Sequence, residues 1–360
     1  METGNRTQSG DRVECLDIAK GIGIILVVWA HVSGPKSNYI EQFHMPFFFF
    51  LSGILYKEGR SLRTYCIHTL EALLIPFWQW NLLSFPLFFV LYYWKKWSVQ
   101  VFIQGIVEIV LTVNKVPFFG ATWFLPALFW VCLTVHALKM LCKNFKYSDI
   151  YLFCLGIIGL LIGFYVTFPY RINRTLICGF FYICGHLYNK YLRNKYPQTA
   201  IGKIVKEDIL AILCGLGYVF IADNNVVSMG DNQYKFKLAF VIGALMATIF
   251  VLRVSIWLST AQKMNKFVKH LMYLGKNSMS IVIWQFLSFR VTIIIQMLTM
   301  HISPNAIVAF PVYDASGLWW VLYLLSGIYV SLFWQHILTN IIHRAGVLTN
   351  IVLKGKDDSR

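Results

Sequence analysis

Long apolar stretches, separated by short polar connections, run along most of the chain. A helix needs roughly 20 mainly apolar residues to cross the hydrocarbon core of a bilayer, and most of these stretches approach that length. The pattern predicts an all-α polytopic integral membrane protein with about ten transmembrane helices in a single membrane domain. We place the spans near residues 18–34, 43–56, 72–94, 117–138, 150–168, 175–189, 208–222, 236–252, 277–300 and 318–342.

Two further stretches fit neither a plain span nor a plain loop. "WSVQVFIQGIVEIVLTVNK", after the third span, is too apolar for an exposed loop and is interpreted as a re-entrant or interfacial segment. "RVSIWLSTAQKMNKFVKH", after the eighth span, is typical of an amphipathic helix on the membrane surface. No internal repeat is visible, so we predict one membrane domain over residues 12–342, with short cytoplasmic tails at 1–11 and 343–360.

Composition and charge support the membrane class and give it an orientation. Hydrophobic residues make up 58% of the chain and charged residues only 13%, with a mean hydropathy of +0.60, whereas a soluble domain is about a quarter charged. If the N-terminus is inside, 22 of the 32 lysines and arginines fall in cytoplasmic segments and 7 in outer loops. The net charge of +16 therefore indicates an N-in, C-in topology in contact with membrane lipid, and we expect no nucleic-acid partner.

The eight cysteines show no paired spacing of the kind that binds a metal ion. Most of them lie in predicted spans or on the cytoplasmic side, where thiols stay reduced. We therefore expect free thiols that serve as small packing residues, with neither a disulfide framework nor a metal site.

The first span places three ionisable residues along one helix stripe. Lys20 and His31 are eleven residues apart, which at roughly 100° per residue returns to nearly the same helix face some 16 Å further along. Asp17 precedes Lys20 by three residues and lies on a neighbouring row. Ionisable side chains inside a bilayer normally face an internal cavity, so this stripe predicts one. An imidazole bonded to a carbonyl at the outer interface is the structural alternative for His31.

A second histidine follows closely, in "EQFHMPFFFFLSG". His44 opens the second span, and the short connection folds the two spans side by side, so both imidazoles can meet near the outer half of one cavity. Imidazole accepts a proton from a hydroxyl near neutral pH, as acyl transfer to an alcohol requires. Glu41 is a candidate for orienting either ring, or else a solvated loop acid. At the end of the stretch, Ser52 and Gly53 favour close helix packing over a serine nucleophile.

Three arginines carry weaker signals. Arg290 is a basic residue deep within a span, five residues after Gln285, so both side chains can face the cavity. The alternative for Arg290 is snorkelling or an ion pair with an acidic residue, either Glu108 or Asp314. Arg171 and Arg174 lie on the outer side against the positive-inside bias, which suits binding of an anionic acceptor or of a lipid headgroup.

Four stretches together resemble a known family. "CLDIAKGIGIILVVWAH", "FHMPFFFFLSGILY", "TWFLPALF" and "YLGKNSMSIVIWQF" are similar, in order and spacing, to the successive signatures of membrane-bound acyltransferase family 3. Members of that family are bacterial O-acyltransferases of surface polysaccharides, often described as related to fucose 4-O-acetylase. The resemblance covers nearly the whole chain, and the family's pattern of a basic residue, ten residues and a histidine falls on Lys20 and His31.

The resemblance implies a ten-helix enzyme of the bacterial cytoplasmic (inner) membrane. It would take an acetyl group from acetyl-CoA, its donor substrate on the cytoplasmic side, and deliver it to a hydroxyl of a polysaccharide or lipid-linked glycan acceptor. His31 would be the central catalytic residue, acting as general base or acyl carrier. His44 and Trp123 would line the cavity, and Lys20 with Asp17 would organise the donor side.

The chain departs from the family pattern at two places. Glu71 and Ala72 stand before the third-span proline where lysine or arginine is expected, so Arg60 and Arg63 would have to take over contacts with the phosphates of CoA. Gln285 stands where the family commonly has histidine, although an amide still forms hydrogen bonds. Neither departure affects the histidines of the first two spans.

Two other classes of function also fit a polytopic protein. A transporter or flippase of a glycan or lipid-linked precursor is the main alternative, although such proteins often show repeated halves that this chain lacks. A non-catalytic membrane scaffold leaves the stripe of Lys20 and His31 unexplained. Transfer of a labelled acetyl group to a glycan separates the enzyme from both.

Overall fold

A computed structural model describes residues 3–93, 98–113, 115–168, 172–193, 201–260, 265–338 and 340. These residues are almost entirely helical, as the apolar pattern predicts. The α-helices are α1 (Thr3–His31), α2 (Ser37–Glu41), α3 (His44–Ile54), α4 (Leu62–Thr69), α5 (Ile75–Tyr93), α6 (Val99–Val110), α7 (Phe124–Leu141), α8 (Ser148–Tyr165), α9 (Ile172–Leu187), α10 (Ile201–Asn224), α11 (Lys237–Thr260), α12 (Lys266–Lys276), α13 (Ser278–Met300) and α14 (Trp319–Leu325).

Shorter helical turns join or extend these elements. The 3-10 segments are Pro117–Trp123, Met229–Asp231 and Pro304–Val308, and the π-helical segments are Leu70–Leu74, Tyr188–Arg193 and Ser326–Val330. Two short strands, β1 (Val227–Ser228) and β2 (Gln233–Tyr234), pair antiparallel with Val227 opposite Tyr234. In the described part of the chain they form a single small hairpin beyond the end of α10.

Within the described residues, five helical stretches are long and apolar enough to cross a bilayer, as expected of an all-α membrane protein. They are Phe119–Leu141, Ser148–Tyr165, Lys237–Ser259, Ser278–Met300 and Trp319–Leu338. Every one of the ten predicted spans overlaps a helix. The apolar stretch after the third span also contains a helix, α6, whose outward face exposes Val99, Ile103 and Val107.

The connection after the eighth span is shorter than predicted, because α11 continues to Thr260 and α12 begins at Lys266. Helix α12 is amphipathic, as predicted for this region. Its apolar residues Val268, Leu271 and Met272 pack around Ile18 of α1. The apolar face is therefore used, at least in part, to hold α12 against the first helix.

Glycines bring two helix pairs into backbone contact. A Cβ atom on Gly21 of α1 would lie 2.0 Å from the carbonyl oxygen of Leu271, and one on Gly275 of α12 would lie 1.8 Å from that of Asp17. Only residues without a Cβ permit this approach, which is a common device for packing helices in membranes. The crossing fixes the first part of α1 against the end of α12.

The second close crossing joins α3 and α9. A Cβ atom on Gly53 would lie 2.0 Å from the carbonyl oxygen of Tyr182, and one on Gly185 would lie the same distance from that of Phe50. Three of the four phenylalanines that precede Ser52 are buried, so the run serves as a packing surface. None of the eight cysteines forms a disulfide in this structure.

Candidate active site

A cavity of about 250 Å³ lies among α1, α3, α7, α12 and α13. Most of its wall is apolar, from side chains such as Met45, Phe48, Leu128 and Met279. The polar or ionisable side chains in its lining are Lys20, His31, His44, Ser52, Trp123, Lys276 and Ser278. The cavity therefore combines a hydrophobic wall with a small number of groups that can do chemistry, as substrate sites commonly do.

The stripe on α1 faces this cavity at both ends. Lys20 and His31 both belong to the lining, and eleven residues of α-helix separate them by about 16 Å. The intervening wall includes Val27. One side of one helix thus carries an ammonium group to one end of the cavity and an imidazole to the other, hereafter the lysine end and the histidine end.

Two imidazoles meet at the histidine end. The ring centroids of His31 and His44 lie 6.2 Å apart with an interplanar angle of 77°. His31 closes α1 and His44 opens α3, so the short connection through α2 folds the two rings together. Nδ1 of His44 lies 2.9 Å from the carbonyl oxygen of Ile40. Because a carbonyl only accepts, this nitrogen carries the proton, and Nε2 of His44 keeps the lone pair of a base.

His31 has an environment of a different kind. Its ring packs edge-on against Phe286, with centroids 4.9 Å apart. Nδ1 of His31 and Oε1 of Gln285 are both buried without a hydrogen-bond partner in the described residues, and the Gln285 side chain lies close enough to act on the ring. Buried polar atoms nearly always have partners, so this pair points to a position where a substrate forms the hydrogen bonds.

The lysine end contains a residue that the sequence analysis missed. Lys20 donates to Oδ1 of buried Asp17 over 3.1 Å. Lys276 also lines the cavity, and it has no carboxylate within 4 Å among the described residues. Its position at the end of α12, just after Gly275, depends on the close α1–α12 crossing. A lysine in the last turn of a helix is also common for capping reasons alone, so only packing reveals its second role.

Two other predicted residues lie in the lining, and each side chain has a contact within the protein. The Ser52 hydroxyl donates to the carbonyl oxygen of Phe48 over 2.8 Å, as a hydroxyl in a packed helix often does. The Trp123 ring carries the Arg174 guanidinium over its face, 5.1 Å from the centroid. Arg174 is buried and lies behind a wall residue of the cavity, and Arg171 lies outside the described residues.

The remaining candidates lie outside the lining of this cavity. Arg290 is buried and donates through Nη1 to the carbonyl oxygens of Ile307 and Ala309, the first of these over 2.9 Å. Glu41 ends α2 and is partly exposed. Arg60 and Arg63 are exposed near the start of α4. Helical periodicity placed Arg290 near the cavity, but the segment after α13 folds back onto it.

This arrangement can support transfer of an acyl group to a hydroxyl. An imidazole with a free lone pair accepts the proton of an attacking hydroxyl, the apolar wall keeps bulk water out, and the lysines attract an anionic group at the opposite end. In the described residues no cluster of three or more histidine, cysteine or acidic side chains is arranged as metal ligands.

Comparison with known proteins agrees with this chemistry. No curated protein and no solved structure shows significant similarity to the chain. A family described as "Acyltransferase domain" matches residues 13–342, which is nearly the entire chain and includes every helix that lines the cavity. The chain therefore belongs to acyltransferase family 3 and is a membrane acyltransferase.

Proposed function

We propose that this enzyme moves an acetyl group from cytoplasmic acetyl-CoA to a hydroxyl of a surface polysaccharide or lipid-linked glycan. The observation that carries the proposal is the polarity of one cavity, with two imidazoles at one end, Lys20 about 16 Å away along α1, and Lys276 also in the lining. Such a site can receive an anionic thioester from one side and a neutral hydroxyl from the other.

We further propose ten spans with both termini in the cytoplasm of a bacterium, the protein lying in its inner membrane. The asymmetry of lysine and arginine supports this topology, and each of the ten predicted spans overlaps a helix. In this orientation the lysine end faces the cytoplasm, where acetyl-CoA is made. Reporter fusions at successive connections test the assignment, and a reporter after α12 that reads as external contradicts it.

The donor fits the lysine end because of its charge and shape. Lys20 and Lys276 attract the phosphates of CoA, which are too large and too polar to enter a cavity of about 250 Å³. The narrow pantetheine arm then runs along the apolar wall and presents the thioester to the histidines. A donor bound across the mouth in this way needs no movement of the nucleotide through the membrane.

The acceptor reacts at the histidine end. In the direct version, the imidazole of His31 takes the proton of the sugar hydroxyl, the oxygen attacks the thioester carbonyl, the carbon–sulfur bond breaks, and the departing thiolate takes up the proton. In a relay version, a nitrogen of His31 first attacks the thioester carbonyl, the carbon–sulfur bond breaks and CoA leaves as its thiolate. The sugar hydroxyl then attacks the acyl-imidazole, its proton passes by way of His44 to the thiolate, and the ring of His31 is released. Both versions need the imidazole of His31.

Replacing that imidazole tests the proposal. We expect His31→Ala to reduce transfer of radiolabelled acetyl from acetyl-CoA to extracted glycans by about 10²–10⁴-fold, the usual contribution of a general base. His270→Ala is the matched control, because this histidine bonds to Tyr329 on another face. Size-exclusion profiles in detergent establish that both variants fold. Full acetylation by His31→Ala, or glycan movement without label in the wild type, contradicts the proposal.

A further inference from the structure

Two buried polar side chains of α13 hold the connection that follows it. This connection, residues 301–318, is hereafter the outer segment. Arg290 donates to the carbonyl oxygens of Ile307 and Ala309, and Gln296 donates to that of Asp314 over 2.6 Å. Arg290 is 6% exposed and Gln296 is fully buried.

Helix α14 supplies a third attachment. The hydroxyl of Tyr323 donates to Oε1 of Gln296 over 2.5 Å and accepts the backbone N–H of Tyr313 over 3.3 Å. Tyr323 is fully buried. Burying a guanidinium and an amide is costly, and the carbonyl groups that accept from Nη1 of Arg290 and from Gln296 offset part of that cost. The outer segment is therefore part of the fold of this end of the bundle.

The fixed segment places an aromatic ring next to the histidine end. Phe310 packs against Phe286 with centroids 5.0 Å apart, and Phe286 packs against His31 at 4.9 Å. Gly120, beside the cavity-lining Ala121, makes room for both rings, since a Cβ there would lie 2.6 Å from Phe286 and 2.8 Å from Phe310. Phe310 is 50% exposed. Two rings in contact thus stand between His31 and the surroundings on this side.

We propose that the outer segment closes the histidine end against water, with Phe310 as the plug and Arg290 as its anchor, until an acceptor sugar displaces the ring. This inference rests on the proposed function for its chemistry. An imidazole that takes a proton from a sugar hydroxyl can equally take one from water. The water oxygen then attacks the thioester carbonyl, the carbon–sulfur bond breaks, and acetate and CoA thiol leave. Keeping water away from the thioester prevents that loss.

The ratio of hydrolysis to transfer measures the closure. We expect Phe310→Ala to raise acceptor-independent hydrolysis of acetyl-CoA relative to transfer on the order of tenfold. Arg290→Met should raise the same ratio, and Arg290→Lys should partly restore it, because an ammonium still donates to carbonyls. Phe145→Ala is the matched control. Phe145 lies in the connection between α7 and α8, is exposed, and packs against the ring of Tyr151. An unchanged ratio in Phe310→Ala, or an equal rise in Phe145→Ala, overturns the closure.

A labelling experiment tests the closure without relying on catalysis. His31→Cys places a thiol beneath the rings, and a membrane-impermeant thiol reagent is applied from the outer side, with the unsubstituted chain as background for the eight native cysteines. We expect slow labelling with Phe310 present and on the order of tenfold faster labelling with Phe310→Ala. Transfer is measured separately in the chain that keeps His31, with and without Phe310→Ala. Faster labelling of the cysteine variant, when the chain with His31 transfers no acetyl, keeps the closure and refutes the proposed function. Equal labelling rates with transfer intact refute the closure alone.

Discussion

Two groups of charged residues in this membrane protein are built differently. Asp149 accepts from both Lys139 and Lys190 at 2.6 Å and from the Tyr191 hydroxyl, and Glu58 lies 3.2 Å from Lys139. This set, the inner ionic cluster, ties α7, α8 and the turn after α9 together. The hydrogen bond from Lys190 to Asp149 raises the pKa of the Lys190 ammonium above its usual value. None of these residues lines the cavity.

The charges and rings that line the cavity are less completely satisfied. Lys20 has one carboxylate partner, Asp17, whereas Lys276 has no carboxylate within 4 Å in the described chain. At the other end, Nδ1 of His31 is buried without a partner in that same part of the chain. A buried ionisable group in a membrane protein is usually assumed to be functional. The inner ionic cluster is therefore neutralised within the fold, whereas the exposed ammonium of Lys276 stays available to an anionic ligand at the cavity.

Removing the central acid of the inner ionic cluster gives the largest expected effect. Asp149→Ala leaves Lys139, whose side chain is 9% exposed, without its shortest partner, and breaking a buried pair costs about 3–5 kcal/mol. We expect a lower unfolding temperature in detergent and a lower folded yield, with transfer per folded molecule unchanged. Asp17→Ala is the comparison, and it should mainly raise the KM for acetyl-CoA. A specific loss of turnover in folded Asp149→Ala removes the distinction between the two groups.

The same contrast shows how far the sequence leads. Helical periodicity alone placed Lys20 and His31 on one face, and the short connection to His44 implied that the two rings meet; both features are local and survive in the structure. Lys276 was missed because its place depends on Gly21 and Gly275, two positions far apart in sequence that only the α1–α12 crossing brings together.

The position of Arg290 was missed for a similar reason. Its spacing from Gln285 is a helical turn and a little more, which predicts a shared face, but spacing carries no information about the outer segment that folds back to supply two carbonyl groups. Long-range contacts of this kind are decided by packing and by the need to satisfy buried donors, not by the local pattern of polar residues.

Removing a charge at the lysine end should have a smaller effect, confined to the binding of the donor. We expect Lys276→Gln to raise the KM for acetyl-CoA by about tenfold, since a charge-assisted hydrogen bond contributes about 1.5–3 kcal/mol. Turnover should change little, because the thioester still reaches the histidines. Lys269→Gln, an exposed lysine on the same helix outside the cavity lining, should leave the KM unchanged.

A truncated donor sharpens this prediction. Acetyl-pantetheine has the thioester and the arm of CoA but no nucleotide phosphates, so its KM should be the same in Lys276→Gln and in the unsubstituted enzyme. Equal effects on both donors indicate that Lys276 acts on the arm or on folding rather than on phosphate. A tenfold effect with Lys269→Gln indicates a general surface-charge effect, which added salt would screen.

The smallest effect is expected at a polar residue that lines the cavity and yet is satisfied. Ser52 is the hydroxyl of the cavity wall most easily mistaken for a nucleophile, but its proton is donated to the carbonyl oxygen of Phe48 within its own helix, and no histidine accepts it. Ser52→Ala should therefore keep acetyl transfer within about twofold, since an i to i−4 hydroxyl bond contributes little to a helix. Ser84→Ala is the matched control, because Ser84 is also partly buried and donates to the carbonyl oxygen of Trp80, four residues earlier, outside the cavity lining. A loss of 10²-fold or more in Ser52→Ala alone, at normal folded yield, would make the serine the acyl carrier and leave the two imidazoles as its activating bases.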